Sequence, residues 1–445
     1  MPRRTIFFAA VLVSAAFSAP AAAQGLMQVY QDAKAHDAQF AAARHALTAS
    51  LEKLPQGRAL TLPTLNLTAN TTYTRIDSEP RDGVLPAPFV RDVRAFGYTL
   101  SFLQPIYRRQ NTIQYNQAGF QVKQAEAAFG LASQDLIIRT AQAYFDVLAS
   151  QDKLALVRAQ KTAIAEQLAQ AKRNFEVGTA TITDTQEAQA RFDLSAAQEI
   201  AAQNDLDNKR RVLQQITGKE YAVLKQLRPQ VKLTPPNPAS MQSWVELAEK
   251  QSYTVQAQEA LTEIASLEAK RNAAAHHPTV DLVASYGYNS QTGSSLSALG
   301  TNVNTGVLGV QFALPLYAGG ALNSREREAA ANYEKSKQDL ENARRTVALT
   351  ARQLYLAVLN GVAEVGALEQ ALVSSQSALD FNKLGYEVGV RINIDVLNAQ
   401  QQLFSTRRDL AVARYNTITG HLRLKSAAGS LKEEDLDEVD RALEP

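Results

Sequence analysis

Two periodicities alternate along this chain, and each occurs twice. In Leu65, Leu67, Ala69, Thr71 and Tyr73 the odd positions are mostly apolar, while Asn66, Thr68, Asn70, Thr72 and Thr74 between them are polar. Phe96, Tyr98, Leu100 and Phe102 repeat this period of two, as do Val280, Leu282, Ala284, Tyr286 and Tyr288, and then Leu308, Val310, Phe312 and Leu314. Alternation places every second side chain on one face, so the segments predict four strands in two hairpins, 62–104 and 278–315, each with one apolar face and a long polar loop. Pro63 and Pro278 open the first strand of each hairpin, and Pro105 and Pro315 close the second, where a missing N–H costs no ladder bond.

The other pattern has a period of 3.5. One seam runs Leu340, Val347, Leu354, Gly361, Leu368, and a companion runs Ala351, Val358, Val365, Leu372, Leu379, Tyr386. An earlier segment reads Phe129, Leu136, Ala143, Ser150, Val157, Ile164 beside Val147, Leu154, Leu168, Phe175. Such heptads predict left-handed supercoiling of long helices. No proline interrupts Tyr107 to Val177 or Tyr317 to Val388, so each predicts a rod on the order of 100 Å. A return helix follows each, with Phe192, Leu206, Leu213 in one and Val396, Leu403, Leu410, Leu424 in the other, and Gly178 and Gly389 end the rods.

The two halves are one pattern repeated. Phe175-Glu176-Val177-Gly178 returns as Tyr386-Glu387-Val388-Gly389, 211 residues later (386 minus 175). The offset also takes Asp184 to Asp395, Tyr144 to Tyr355, Leu213 to Leu424 and Gly218 to Gly429. The expected organisation is a signal peptide at 1–23, a first repeat at 24–227, a proline-rich linker at 228–243, a second repeat at 244–429 and an acidic tail at 430–445, either a short solvated helix or frayed. Leu26 to Leu54 and Trp244 to Ala274 are expected as matched helices ahead of each hairpin. The long helical hairpins are expected at 107–217 and 317–428.

Composition narrows the class. Met1-Pro2-Arg3-Arg4, the apolar run from Ile6 to Phe17 and Ala19-Pro20-Ala21-Ala22-Ala23 form an export signal with cleavage before Gln24. Without Arg3 and Arg4, the 46 basic residues become 44 against 44 acidic, and this neutrality argues against a nucleic-acid partner. The absence of cysteine excludes disulfides, thiolate metal sites and an N-terminal lipid anchor on cysteine. No later uninterrupted apolar span is evident, so entry into a membrane is expected through strands. The adjacent His276 and His277 lack the spacing of a helical zinc pair, and with no nucleophile elbow or phosphate loop neither enzyme chemistry, a metal nor a cofactor is expected.

Four strands cannot close a membrane barrel, because barrels begin at about eight. In lipid every edge must be paired, so several chains must pool their strands around one axis. A soluble periplasmic coiled-coil adaptor is the alternative, but it would not need four strands with an apolar outer face.

The duplicated order of helix, strand hairpin, long helix, Val-Gly tip and return helix resembles the outer-membrane efflux factors. So do Gly25-Leu26-Met27-Gln28-Val29-Tyr30, Tyr386-Glu387-Val388-Gly389 and Ile394-Asp395-Val396-Leu397. The resemblance implies an α+β membrane protein: a homotrimer with a 12-stranded β-barrel in outer-membrane lipid, four strands per chain, continued by a 12-helix coiled-coil α-barrel in the periplasm and a mixed equatorial domain. It implies a passive exit duct for efflux or type I secretion, docking through Val177, Gly178, Val388 and Gly389 onto a periplasmic adaptor coupled to an inner-membrane transporter. It places Asp395 in an acidic aperture ring whose second position here is Asn398, leaving three carboxylates where the pattern has six. It also implies a closed-state latch in which Tyr386 and Arg391 bond Asp184 and Thr183.

Overall fold

The computed structural model describes residues 23–79, 88–228, 231–295 and 297–444. The expected signal peptide, apart from Ala23, and most of the first hairpin loop lie outside the described residues. The elements are α1 (Leu26–His36), α2 (Ala38–Leu51), α3 (Lys53–Ala59), β1 (Thr64–Ser78), β2 (Phe89–Tyr107), α4 (Arg109–Glu176) and α5 (Ile182–Thr217). There follow α6 (Met241–Gln251), α7 (Tyr253–Ala273), β3 (Thr279–Gln291), β4 (Thr301–Ala313), α8 (Ala321–Glu387), α9 (Asn393–Ala427) and α10 (Glu434–Arg441).

Two compact units divide the chain: one from residues up to Ala41, Ser133–Trp244 and Thr350 onward, the other from Ala42–Ala132 and Val245–Leu349. Each unit holds pieces of both halves of the sequence, so the repeat is a unit of sequence and not of packing. The second unit contains an antiparallel sheet in the order β1-β2-β3-β4. Its register explains the alternation. Leu67 lies opposite Leu100 and Leu100 opposite Tyr286, while Leu65, Phe102, Ala284 and Leu308 form the next row. Apolar side chains therefore share one face across all four strands, and most are exposed. The other face carries polar rows such as Asn66, Ser101, Ser285 and Thr68, Thr99, Gly287, Thr305. Among the described residues, the outer edges of β1 and β4 have no partner strand.

Pro105 does not close β2, which runs on to Tyr107 with a register shift between Pro105 and Tyr107. A bulge tolerates proline because its unpaired residue needs no ladder hydrogen bond. Just beyond it, Arg108 donates through Nε and Nη2 to Asp281 at 2.7 and 2.6 Å, tying the entrance of α4 to the start of β3.

The heptad seams are buried as the period demands. Leu136, Ala143, Val147, Leu154, Ile164 and Leu168 are inside in α4, and Val347, Ala351, Val358, Val365 and Leu379 in α8. Between them Leu349, Leu356, Val373 and Phe381 of α8 stay exposed. One 18-residue window of α8 is apolar enough to cross a membrane by length and composition, with 11% of it buried. No uninterrupted apolar run marks this window in the sequence. The window belongs to a helix with a buried seam and an exposed apolar side.

The helices ahead of each hairpin are not single. Leu26 to Leu54 breaks at Asp37, whose carboxylate accepts the Phe40 N–H at 2.7 Å and a fork from Arg139 at 3.0 and 3.1 Å. The hydrogen bonds from Arg139 hold the Asp37 carboxyl below its ordinary range despite opposing burial. Trp244 to Ala274 breaks likewise at Ser252.

The acidic tail is neither frayed nor simply solvated. Leu431, Leu436 and Leu443 are buried, Glu433 pairs with Lys34, and Asp440 accepts from the Met27 N–H. The duplicated tyrosines tether the segments at this level: Tyr144 donates to the carbonyls of Gln24 and Lys225, and Tyr355 to that of Ala239 in the linker. Linker residue Leu233 packs on Val365, Leu410 and Ala413, and Val231 to Thr234 cover a cavity of about 190 Å³ against α9 and α10.

His421 lies under that linker, facing Lys425 of its own helix, Lys232 of the linker, and Asp435 and Glu438 of α10. Burial, with a smaller push from Lys425, lowers its pKa below the ordinary 6.5. A depressed histidine contributes stability that is present above 6.5 and lost as pH falls through the folded value, where the unfolded chain binds the extra proton. Limited proteolysis of the linker should therefore accelerate from pH 7 to pH 5, and His421→Gln should flatten that dependence. Equal acceleration in both proteins would remove His421 as the cause.

Candidate functional site

Both helical tips are built by the same backbone turn. After α4, Val177 N–H bonds the Arg173 carbonyl at 3.1 Å, Gly178 that of Phe175 at 3.0 Å, and Thr179 that of Asn174 at 2.8 Å. After α8, Val388 bonds Leu384 at 3.1 Å, Gly389 bonds Tyr386 at 3.1 Å, and Val390 bonds Gly385 at 2.8 Å. Every donor and acceptor is displaced by 211 residues. Gly178 and Gly389 sit at φ 77° and 78°, a left-handed conformation that terminates a helix and disfavours a side chain, although nothing crowds either position. Val177 is 72% and Val388 65% exposed, joined by Ile182, Val390 and Ile392 in an apolar tip surface.

The caps that follow differ. Thr181 at the start of α5 forms a capping box with Asp184: its N–H and hydroxyl donate to Asp184 Oδ2 at 2.9 and 2.7 Å, and the hydroxyl accepts from Asp184 N–H at 3.2 Å. The matching position before α9 is Ile392, which has no side-chain cap to offer, so Asp395 makes no such box. Asp395 instead stands 3.8 Å from Arg391, one turn away. Gly385 makes room for Arg391, since a Cβ there would meet Arg391 Cγ at 2.7 Å.

Of the residues expected at an aperture and a latch, Asp395 and Asn398 lie together, while the pairs expected of the latch are not bonded to one another among the described residues. Asp395 and Asn398 lie one turn apart on α9, and the Asn398 side-chain carbonyl accepts from Arg191 of α5 at 3.1 Å. Tyr386 does not bond Asp184; its hydroxyl accepts from Asn174 of α4 at 3.1 Å. Arg391 reaches Asp395 and not Thr183, which is exposed. Each group instead has a partner on its own tip or on α4: Asp184 with Thr181, Tyr386 with Asn174 and Arg391 with Asp395.

Three further residues hold the tip groups: Thr181, Asn174 and Arg191. Thr181 was detectable, since Thr-x-x-Asp at a helix start is a capping-box spacing. Asn174 and Arg191 carry no local signal, as their partners lie 212 and 207 residues away. Between the hairpins, Gln167 of α4 donates to the Asn393 side chain, and both are buried. Asn393 Nδ2, Gln400 Oε1 and Thr185 Oγ1 nearby are buried with no hydrogen-bond partner among the described residues. This polar layer interrupts two apolar clusters, Leu168, Ala171, Ala188 and Leu379, Val396, Leu403. Buried polar groups that are only partly satisfied weaken a seam relative to apolar packing.

A four-stranded sheet with one apolar face and open edges, joined to paired helical hairpins, defines a membrane-inserted channel class. The chain belongs to the outer membrane efflux protein family, which matches residues 29–219 and again 244–430. It is an outer-membrane protein. It is 33% identical to the outer membrane protein TolC of Vibrio cholerae over 422 residues, covering 95% of this chain and 94% of that relative. It is 32% identical to the proteases secretion protein PrtF of Dickeya chrysanthemi, covering 98% and 94%. It shares the fold of the outer membrane protein VceC from Vibrio cholerae, with TM-score 0.76 and 20% identity over 91% of this chain and 96% of that one.

Proposed function

We propose that the chain assembles as a homotrimer into an outer-membrane channel-tunnel that serves efflux or type I secretion. The observation that carries this reading is the register-aligned apolar face of a sheet whose β1 and β4 edges are unpaired among the described residues. Lipid leaves no open edge unsatisfied, so β4 of one chain pairs with β1 of the next, and three chains give a closed 12-stranded barrel. The bare apolar side of α8 is covered in the same assembly. Likeness to relatives named for efflux and for protease secretion supports either export task. The duct performs no chemistry of its own, and energy enters from an inner-membrane transporter through a periplasmic adaptor that meets the exposed valines of the tips.

The gate lies at those tips. In the closed state Tyr386 leaves Asn174 for Asp184, and Arg391 leaves Asp395 for Thr183 and Asp184, an exchange suited to a guanidinium that donates to a carboxylate and a hydroxyl together. Three copies of Asp395 form the aperture ring. In the unlatched arrangement Arg391 beside Asp395 and Arg191 on Asn398 reduce the acidic field there; in the closed state only Arg191 remains, and three carboxylates give a modest cation preference.

Tyr386→Phe combined with Arg391→Ala should raise single-channel conductance in a planar bilayer several-fold while leaving the detergent-purified trimer intact. Unchanged conductance would remove the latch. A detergent-free, water-soluble monomer would remove the barrel and favour a periplasmic coiled-coil protein instead.

A further inference from the structure

The Asp184 carboxylate has two possible sets of partners, and one of them belongs to its own tip. Thr181 grips Asp184 Oδ2 with both its N–H and its hydroxyl, and orients the carboxylate back over the first turn of α5. Tyr386, meanwhile, is seated on α4 at Asn174, and Arg391 is held near Asp395. Asp184, Tyr386 and Arg391 thus each have a partner without the latch. The corresponding site in the second repeat shows what happens without the hydroxyl: with Ile392 as cap, Asp395 forms no box and turns to an arginine one helical turn away.

We infer that Thr181 is a positioning residue that biases the gate toward its unlatched arrangement by withholding the Asp184 carboxylate from Tyr386 and Arg391. This inference rests on the latch reading given above. The physical basis is competition. A carboxylate already accepting two hydrogen bonds in a fixed rotamer must break them, or share its free oxygen in a poorer geometry, before it serves a guanidinium from another helix. The second repeat cannot compensate, because Ile392 offers no hydroxyl and Asp395 has no box to release. Loss of the Thr181 hydroxyl therefore shifts the balance toward the latch even though it removes a helix cap.

If Thr181 only stabilised the tip, removing its cap would fray α5 and loosen the gate, so conductance would rise. If it competes with the latch, conductance falls. The measurement is single-channel conductance and open fraction of full-length trimers in planar bilayers, with assembly checked by heat-resistant migration. Thr181→Ala and the isosteric Thr181→Val should reduce the open-to-closed ratio roughly fivefold, the equilibrium equivalent of one cap. Thr181→Ser should behave as the parent, because the hydroxyl remains. Adding Tyr386→Phe and Arg391→Ala to Thr181→Ala should abolish the reduction.

An unchanged or raised open fraction in both Thr181→Ala and Thr181→Val would overturn the inference. If that happens while Tyr386→Phe with Arg391→Ala still raises conductance, the latch stands and only the competition fails. If the latch variant is itself without effect, the gate reading has failed first.

Discussion

Arg108→Ala should lower the stability of the assembled channel by about 2 to 4 kcal/mol, read as a lower temperature of dissociation and unfolding in detergent. The expectation follows from what is left behind. Asp281 has a side chain only 5% exposed and receives a two-bond fork from Arg108, so truncation strands a carboxylate in a place water barely reaches. The magnitude is set below that for a fully buried pair because Arg108 itself is 37% exposed. Arg108→Lys should recover only part of the loss, since an ammonium cannot reproduce the planar fork. The double variant Arg108→Ala with Asp281→Ala should be more stable than Arg108→Ala alone, because it removes the orphaned charge. Equal losses in single and double variants would show that Asp281 is not the source.

Leu308→Arg should sharply reduce the amount of heat-resistant oligomer in the outer membrane, whereas Thr305→Arg should not. Leu308 is 77% exposed and lies opposite Ala284 on the apolar face; Thr305 lies opposite Gly287 on the polar face. On a lipid face a buried arginine costs about 2 to 4 kcal/mol near the bilayer middle and less toward the interfaces, while a lumen face tolerates charge. The substitutions sit three residues apart on β4, so β propensity and position along the strand are nearly matched. The difference isolates orientation. Similar losses from both would invalidate the assignment of the apolar face to lipid.

Much of this architecture is legible from local pattern. The strand faces, the long helices and the glycine tips follow from periods of 2 and 3.5 and from a repeated Val-Gly turn, and each depends on neighbours a few residues away. The capping box at Thr181 was equally local. The breaks at Asp37 and Ser252 were not, because the Asp37 break is secured by Arg139, 102 residues distant, against an otherwise continuous helical pattern. The docked tail escaped for a related reason. Leu431, Leu436 and Leu443 do not follow a simple helical stripe, and the charges among them read as solvated until the surface they cover is known.

The candidate site divides the same way. That Asp184, Tyr386, Arg391 and Asp395 stand at the tips is a matter of offset and spacing. Which partner each takes is a matter of distance. Thr181 holds Asp184, Asn174 holds Tyr386, and Arg191 holds Asn398, and two of these three bonds join helices separated by more than 200 residues.

By itself the sequence determined the elements, their buried faces and the twofold repetition, since hydrophobic period and turn chemistry act along the chain. Only the tertiary structure decided strand register, the grouping of both repeats into shared packing units, and which partner each tip residue takes. Those depend on competition among partners brought together in space, where a difference of one hydrogen bond selects the winner.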